Sequence, residues 1–162
     1  MSIPMTPDVM REGMTRSLKK CKEHLRGAEV LTSNGCLNAA VVLVEFALEE
    51  FGRAIELRDR LKSGSTQVEL RLFRDHDLKY DKAWTILNPN LKKIYEGTFD
   101  PAIFDPHIFD TQAETISPRT RLDAAFVNYV NGTWIDTVRA DRGNLERLIE
   151  GIREEVNNFQ IP

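Results

Sequence analysis

Along residues 37–61, Leu37, Ala40, Val41, Val44, Ala47, Leu48, Phe51, Ala54 and Ile55 recur at intervals of three and four residues. At 100° per residue this lays them on one broad face and predicts a helix over Leu37–Leu61. Glu45, Glu49, Gly52 and Glu56 fall on a second stripe of the same helix, flanked by Val41 and Val42. That position predicts at least half burial. A buried carboxylate costs several kcal/mol unless a cation or hydrogen-bond donor meets it. The pattern therefore demands a partner on another element, and the charged segment Arg71–Lys82 is the candidate. The apolar arc is also too wide for one partner helix, which predicts a patch left over for a second subunit.

The other elements follow from the same period. Thr6-Pro7, an N-cap followed by proline at the first helical position, opens a helix through Met10, Met14, Leu18, Cys21, Leu25, Ala28 and Leu31 to the stop at Asn34-Gly35. A third helix is predicted from Thr66 to about Leu87, ended by Asn88-Pro89-Asn90. Residues 88–117 hold three prolines and a run of acids, and read as a long acidic loop with at most one short helix. Ser117-Pro118 opens a fourth helix bearing Leu122, Ala125, Phe126 and Tyr129, which Asn131-Gly132 ends. A final helix carries Leu145, Leu148, Ile149, Ile152, Val156 and Phe159. No strand-like alternation or internal repeat is visible. The class is all-α: one domain over residues 1–162, a bundle of about five helices with the loop 88–117 inserted in it.

Charge and composition narrow the partners. The net charge of −3 gives no general pull toward DNA, other nucleic acid or a membrane. It is unevenly spread, since Glu96, Asp100, Asp105, Asp110 and Glu114 occupy a stretch without Lys or Arg. No apolar run approaches the roughly 20 residues that span a bilayer. MSIPMTPDVMREG has no apolar core and does not read as a secretion signal. Cys21 and Cys36 lack metal-site spacing and suit reduced thiols in a cytoplasmic protein, with Cys21 on an apolar stripe.

Candidate chemistry centres on the glutamate stripe. Glu45, Glu49 and Glu56 are to be met by His76, Lys79 or Arg121 from neighbouring helices, and Arg53 follows Glu49 by four residues, the favourable order for an intrahelical pair. Glu45, Glu49, Arg53, His76, Lys79 and Arg121 thus form a predicted buried polar network. Gly52 permits close approach of another helix or of a ligand. Glu45, Glu49, His76 and Asp77 are the ligand types of a di-metal bundle, but such sites carry Glu-x-x-His, which is absent here, so no metal or cofactor is expected. His24 reads as a helix-flank residue, His107 as an exposed loop residue, and Trp84 and Trp134 as packing residues.

The ordered set Ala28–Leu31, Asn34-Gly35, Ala39-Ala40, Ala47-Leu48-Glu49-Glu50-Phe51-Gly52-Arg53 and His76-Asp77-Leu78-Lys79 resembles the AbiV-type abortive-infection proteins, within the HEPN group of helical domains. Arg53 stands where that family usually has lysine. A further family element would fall on Arg121 and Phe126-Val127-Asn128, where two of three positions after the arginine depart from Tyr-Val-Asp. The resemblance implies a bacterial defence protein that arrests growth of the phage-infected host, and a homodimer. It also implies a metal-independent ribonuclease motif, Arg-x4–6-His, which Arg71 and His76 match in form. In that motif histidine assists the 2′-hydroxyl attack and arginine stabilises the phosphorane charge. On one regular helix these two would lie about 140° apart, so convergence would need two copies meeting at a dimer seam. The residues leave several readings open: RNA cleavage, stoichiometric binding to translation machinery or a phage protein, and a non-catalytic helical dimer that is structural or binds a ligand or nucleotide.

Overall fold

The computed structural model describes residues 1–98, the backbone of 128–130 and 133–135, and residues 140–162. The described residues are mainly helical. Strand β1 (Ser2–Pro4) precedes α1 (Pro7–Ser33) and α2 (Leu37–Lys62). Then come β2 (Gln67–Glu69), α3 (Arg71–Arg74), α4 (His76–Trp84) and α5 (Pro89–Glu96). Strands β3 (Asn128–Val130) and β4 (Thr133–Ile135) lead to α6 (Arg142–Asn158).

Helices α1 and α2 are the frame. Thr6 caps α1 by accepting the Val9 amide, with Pro7 behind it, and Gly35 turns the chain with a φ of 77°. The two helices run antiparallel, because Gly13 lies against Leu57 and Gly27 against Leu43. Helix α6 closes the core with Leu145, Leu148, Ile149, Ile152 and Val156, all buried. Its Arg142 donates Nη2–H to the Thr32 carbonyl at 3.0 Å and so brings a cation to the C-terminal end of α1.

Two expectations need correction. The single helix over 66–87 is instead β2, α3 and α4. Gln67–Glu69 pairs antiparallel with Ser2–Pro4, in the register Ile3 opposite Val68. Asp75 then adopts an extended ψ of 109° and accepts the Leu78 amide at 3.0 Å, ending α3 and capping α4. The fourth helix does not reach Tyr129: Asn128–Val130 pairs antiparallel with Thr133–Ile135 across Asn131-Gly132, a dipeptide suited to tight hairpins. The rest of that helix, with Leu122, Ala125 and Phe126, lies outside the described residues, as do Arg121, His107 and the loop from 99 to 117. On α2 the apolar side chains of Val42, Leu43 and Phe46 stay half-buried, beside exposed Ala39. The helix packs against α1, α4 and α6, and among the described residues none of its large apolar side chains is exposed.

Within 88–98 the short helix is α5, capped by Asn88 with Pro89 at its first turn. Its Tyr95 is fully buried against Tyr80 and Trp84 of α4.

Candidate functional site

Gly52 explains how α4 meets α2. A Cβ at this position would fall 2.6 Å from the Lys79 carbonyl carbon, closer still to its oxygen, and 3.2 Å from the Ala83 nitrogen. Only a residue without a side chain lets the α4 backbone rest there. One turn earlier on α2 lies Glu49, and the close approach brings two α4 side chains onto it. Lys79 Nζ stands 3.0 Å from Glu49 Oε2, and His76 Nδ1 stands 2.7 Å from the same oxygen. A carboxylate oxygen can only accept, so both nitrogens donate. Glu49 and Lys79 are almost wholly buried, while the His76 side chain is 57% exposed.

The cluster divides into a structural half and an accessible half. Lys79 balances the buried charge of Glu49, which would otherwise be costly. His76 is oriented through Nδ1, leaving Nε2 as the ring nitrogen outside that bond. A carboxylate holding one side of an imidazole while the other stays accessible is the arrangement of an oriented acid–base histidine.

The glutamate stripe continues in both directions with partners that residue spacing did not identify. Glu45 is buried and accepts a hydrogen bond from the Tyr95 hydroxyl. Glu56 receives Lys82 Nζ at 3.0 Å and Arg60 Nε at 2.8 Å, and Lys82 also reaches Asp59 at 3.0 Å. Burial alone would lower the Lys82 pKa, but its hydrogen bonds to Glu56 and Asp59 outweigh that and leave it raised. Lys82 was findable, since it follows Lys79 by three residues on the same face. Tyr95 was not, because nothing in its local sequence points across the core.

Arg53 does not pair with Glu49. Its Nη1 lies 2.9 Å from Glu50, one residue closer, at the outer edge of α2. Arg71 and His76 are not on one helix, since Asp75 separates α3 from α4. Arg71 makes two long, exposed ion pairs, to Glu69 at 3.7 Å and Asp75 at 3.9 Å. Among the described residues no hydrogen bond or ion pair joins it to His76. Elsewhere, the buried Cys21 thiol is pushed up to about 12, chiefly by desolvation. His24 rests against Phe46, with ring centroids 5.6 Å apart. Burial, followed by the charge of Lys20, lowers its pKa. Trp84 packs edge-on to Tyr80.

Among the described residues no helix is long and apolar enough to cross a membrane. The HEPN family model described as AbiV matches residues 9–133. No curated protein and no solved structure matches the chain.

Proposed function

This chain belongs to the AbiV family of HEPN domains, and from that premise we propose that it is a phage-defence protein of the abortive-infection kind that stops growth of the infected host by cutting RNA. The supporting observation is the held histidine: His76 stands exposed, with Nδ1 fixed by buried Glu49 and that carboxylate already balanced by Lys79. In this reading Nε2 takes the proton from an RNA 2′-hydroxyl as its oxygen attacks the adjoining phosphorus. The phosphorus–5′-oxygen bond breaks, the 5′ oxygen leaves with a proton from solvent, and a 2′,3′-cyclic phosphate remains. His76 then returns its proton to solvent. Arg71, whose ion pairs are long and weak, is free to turn toward the phosphorane charge. The reaction is placed in the cytoplasm, in a homodimer, where a second copy brings its own arginine toward the seam.

A second reading rests on the Gly52–Lys79 contact. The same cluster then serves to lock α4 onto α2, and the chain arrests growth by binding a component of the translation machinery or of the phage.

Purified protein incubated with total cellular RNA in the presence of chelator tests the two readings. Fragments ending in cyclic phosphate that disappear with His76→Ala support cleavage. Intact RNA with the folded parent protein overturns cleavage and leaves the binding reading. Light scattering on the same preparation is expected to give twice the 18.6 kDa chain mass, and a monomer at micromolar concentration would overturn the dimer.

A further inference from the structure

The corner between α3 and α4 presents two side chains that the core does not use. Leu72 is buried, but the next residue, Phe73, is 37% exposed. Among the described residues it is the aromatic member of the exposed large hydrophobics, and its ring joins none of their aromatic contacts. Arg74 beside it is exposed, and no ion pair among the described residues ties it to a carboxylate. Its cationic neighbours face carboxylates: Arg71 lies 3.7 Å from Glu69 and 3.9 Å from Asp75, Lys79 pairs with Glu49, and Lys82 pairs with Glu56 and Asp59. Asp75 caps α4 through Oδ1 and faces Arg71 at 3.9 Å through Oδ2. A hollow of about 460 Å³, bordered by Met1, Glu69, Leu70, Arg71, Arg74 and Asp75, lies alongside, within the size range of small-ligand sites. Successive Cα atoms are at most about 3.8 Å apart, so Phe73 and Arg74 sit within about 11 Å of His76 along the backbone.

An exposed aromatic, an uncommitted guanidinium and an oriented histidine within four residues form a small nucleic-acid contact set. We propose that Phe73 and Arg74 are the subsite for single-stranded RNA beside His76, with Phe73 stacking on a base and Arg74 pairing with the backbone phosphate. The proposal rests on the RNA-cutting reading and names the part of the surface that holds the substrate. Stacking and phosphate pairing recognise unpaired strands with little preference among bases, so a duplex is expected to be a poor ligand.

The test uses a fluorescent 2′-O-methyl single-stranded oligoribonucleotide, which lacks the attacking hydroxyl, and anisotropy titration of the full chain. Phe73→Ala and Arg74→Ala are each expected to weaken binding at least fivefold. Phe73→Trp is expected to preserve binding, and Arg74→Ala to reduce the salt slope by about one. Lys22→Glu, on the far side of α1, serves as the control and is expected to have little effect. Both test positions are exposed, and a thermal melt confirms folding. Parent-like affinity in both alanine variants overturns the subsite, whether or not the parent cuts RNA. Tight binding lost in both variants, in a protein that leaves total RNA intact, keeps the subsite and removes the cleavage reading. No binding by the parent overturns the subsite, while digestion of total RNA decides the cleavage reading separately.

Discussion

Adding a single methyl group at Gly52 measures how much the α2–α4 contact contributes. In Gly52→Ala the new Cβ would lie 2.6 Å from the Lys79 carbonyl carbon and 3.2 Å from the Ala83 nitrogen. Both obstacles are backbone, so no side-chain rotation relieves them. Helix α4 must withdraw by about 1 Å or more, and overpacking of this kind typically costs 1–3 kcal/mol. The withdrawal stretches the 3.0 Å Lys79–Glu49 pair beyond hydrogen-bonding range. Breaking a buried pair costs a further 3–5 kcal/mol or so. Against this, alanine gains about 1 kcal/mol of helix propensity over glycine. The net loss is about 3–7 kcal/mol, a large share of the total stability of an ordinary domain. At about 2–4 °C per kcal/mol for this size, the melting temperature should fall by at least about 6 °C in a circular dichroism melt. Gly13→Ala is the matched control: its Cβ would meet only the flexible tip of Leu57 at 2.9 Å, and the change should stay within about 1 kcal/mol. Gly52→Ala melting within 2 °C of the parent would refute the close backbone approach.

Lys79→Met should destabilise by about 3–5 kcal/mol by stranding buried Glu49, with Glu49→Gln in the same chain recovering part of the loss. His76→Ala should cost only about 1 kcal/mol, because Lys79 still holds that carboxylate; guanidinium melts that reverse this order would show that His76 is the structural partner. Tyr95→Phe removes the hydroxyl that donates to Glu45 and should cost about 1.5–3 kcal/mol, a loss below about 0.5 kcal/mol in the same assay counting against the bond. His24 has its pKa lowered from 6.5 by burial and then by Lys20, so the unfolded chain binds its proton more readily. Its contribution is present above pH 6.5 and fades as the pH falls through the lowered value; His24→Gln should flatten the fall in melting temperature on acidification from pH 7, and an unchanged slope would rule His24 out.

The long elements were legible because their apolar period runs over many turns. Met10, Met14 and Cys21 on α1, Val44, Leu48 and Ile55 on α2, and Leu148 and Ile152 on α6 are all buried where a helical wheel puts them. The need for cations opposite Glu49 was legible too, since burial of an unpaired carboxylate is too costly to leave unanswered. Short elements were not. Gln67–Glu69 is three residues long, too few to display a period of two, and it exists because Ser2–Pro4 lies beside it. Asp75 was read as one charge among several, whereas its decisive role is the cap that splits the segment. Asn131-Gly132 was read as a helix stop, but the same dipeptide serves equally well as a hairpin turn. Most of the wide apolar arc of α2 meets α1, α4 and α6, a tertiary arrangement that the helix's own residues do not encode.

The placement of His76 on α4 also bears on when the cluster exists at all. Helix α4 is nine residues long, below the length at which an isolated helix persists in water, so its order is borrowed from the α2 surface. The α1–α2 pair, by contrast, is built from neighbours in the chain and can form early. The histidine, its lysine companion and the two residues proposed to meet RNA therefore lie on one short segment whose order depends on the α2 contact. Anything that holds the segment off Gly52 would therefore part His76 and Lys79 from Glu49 together.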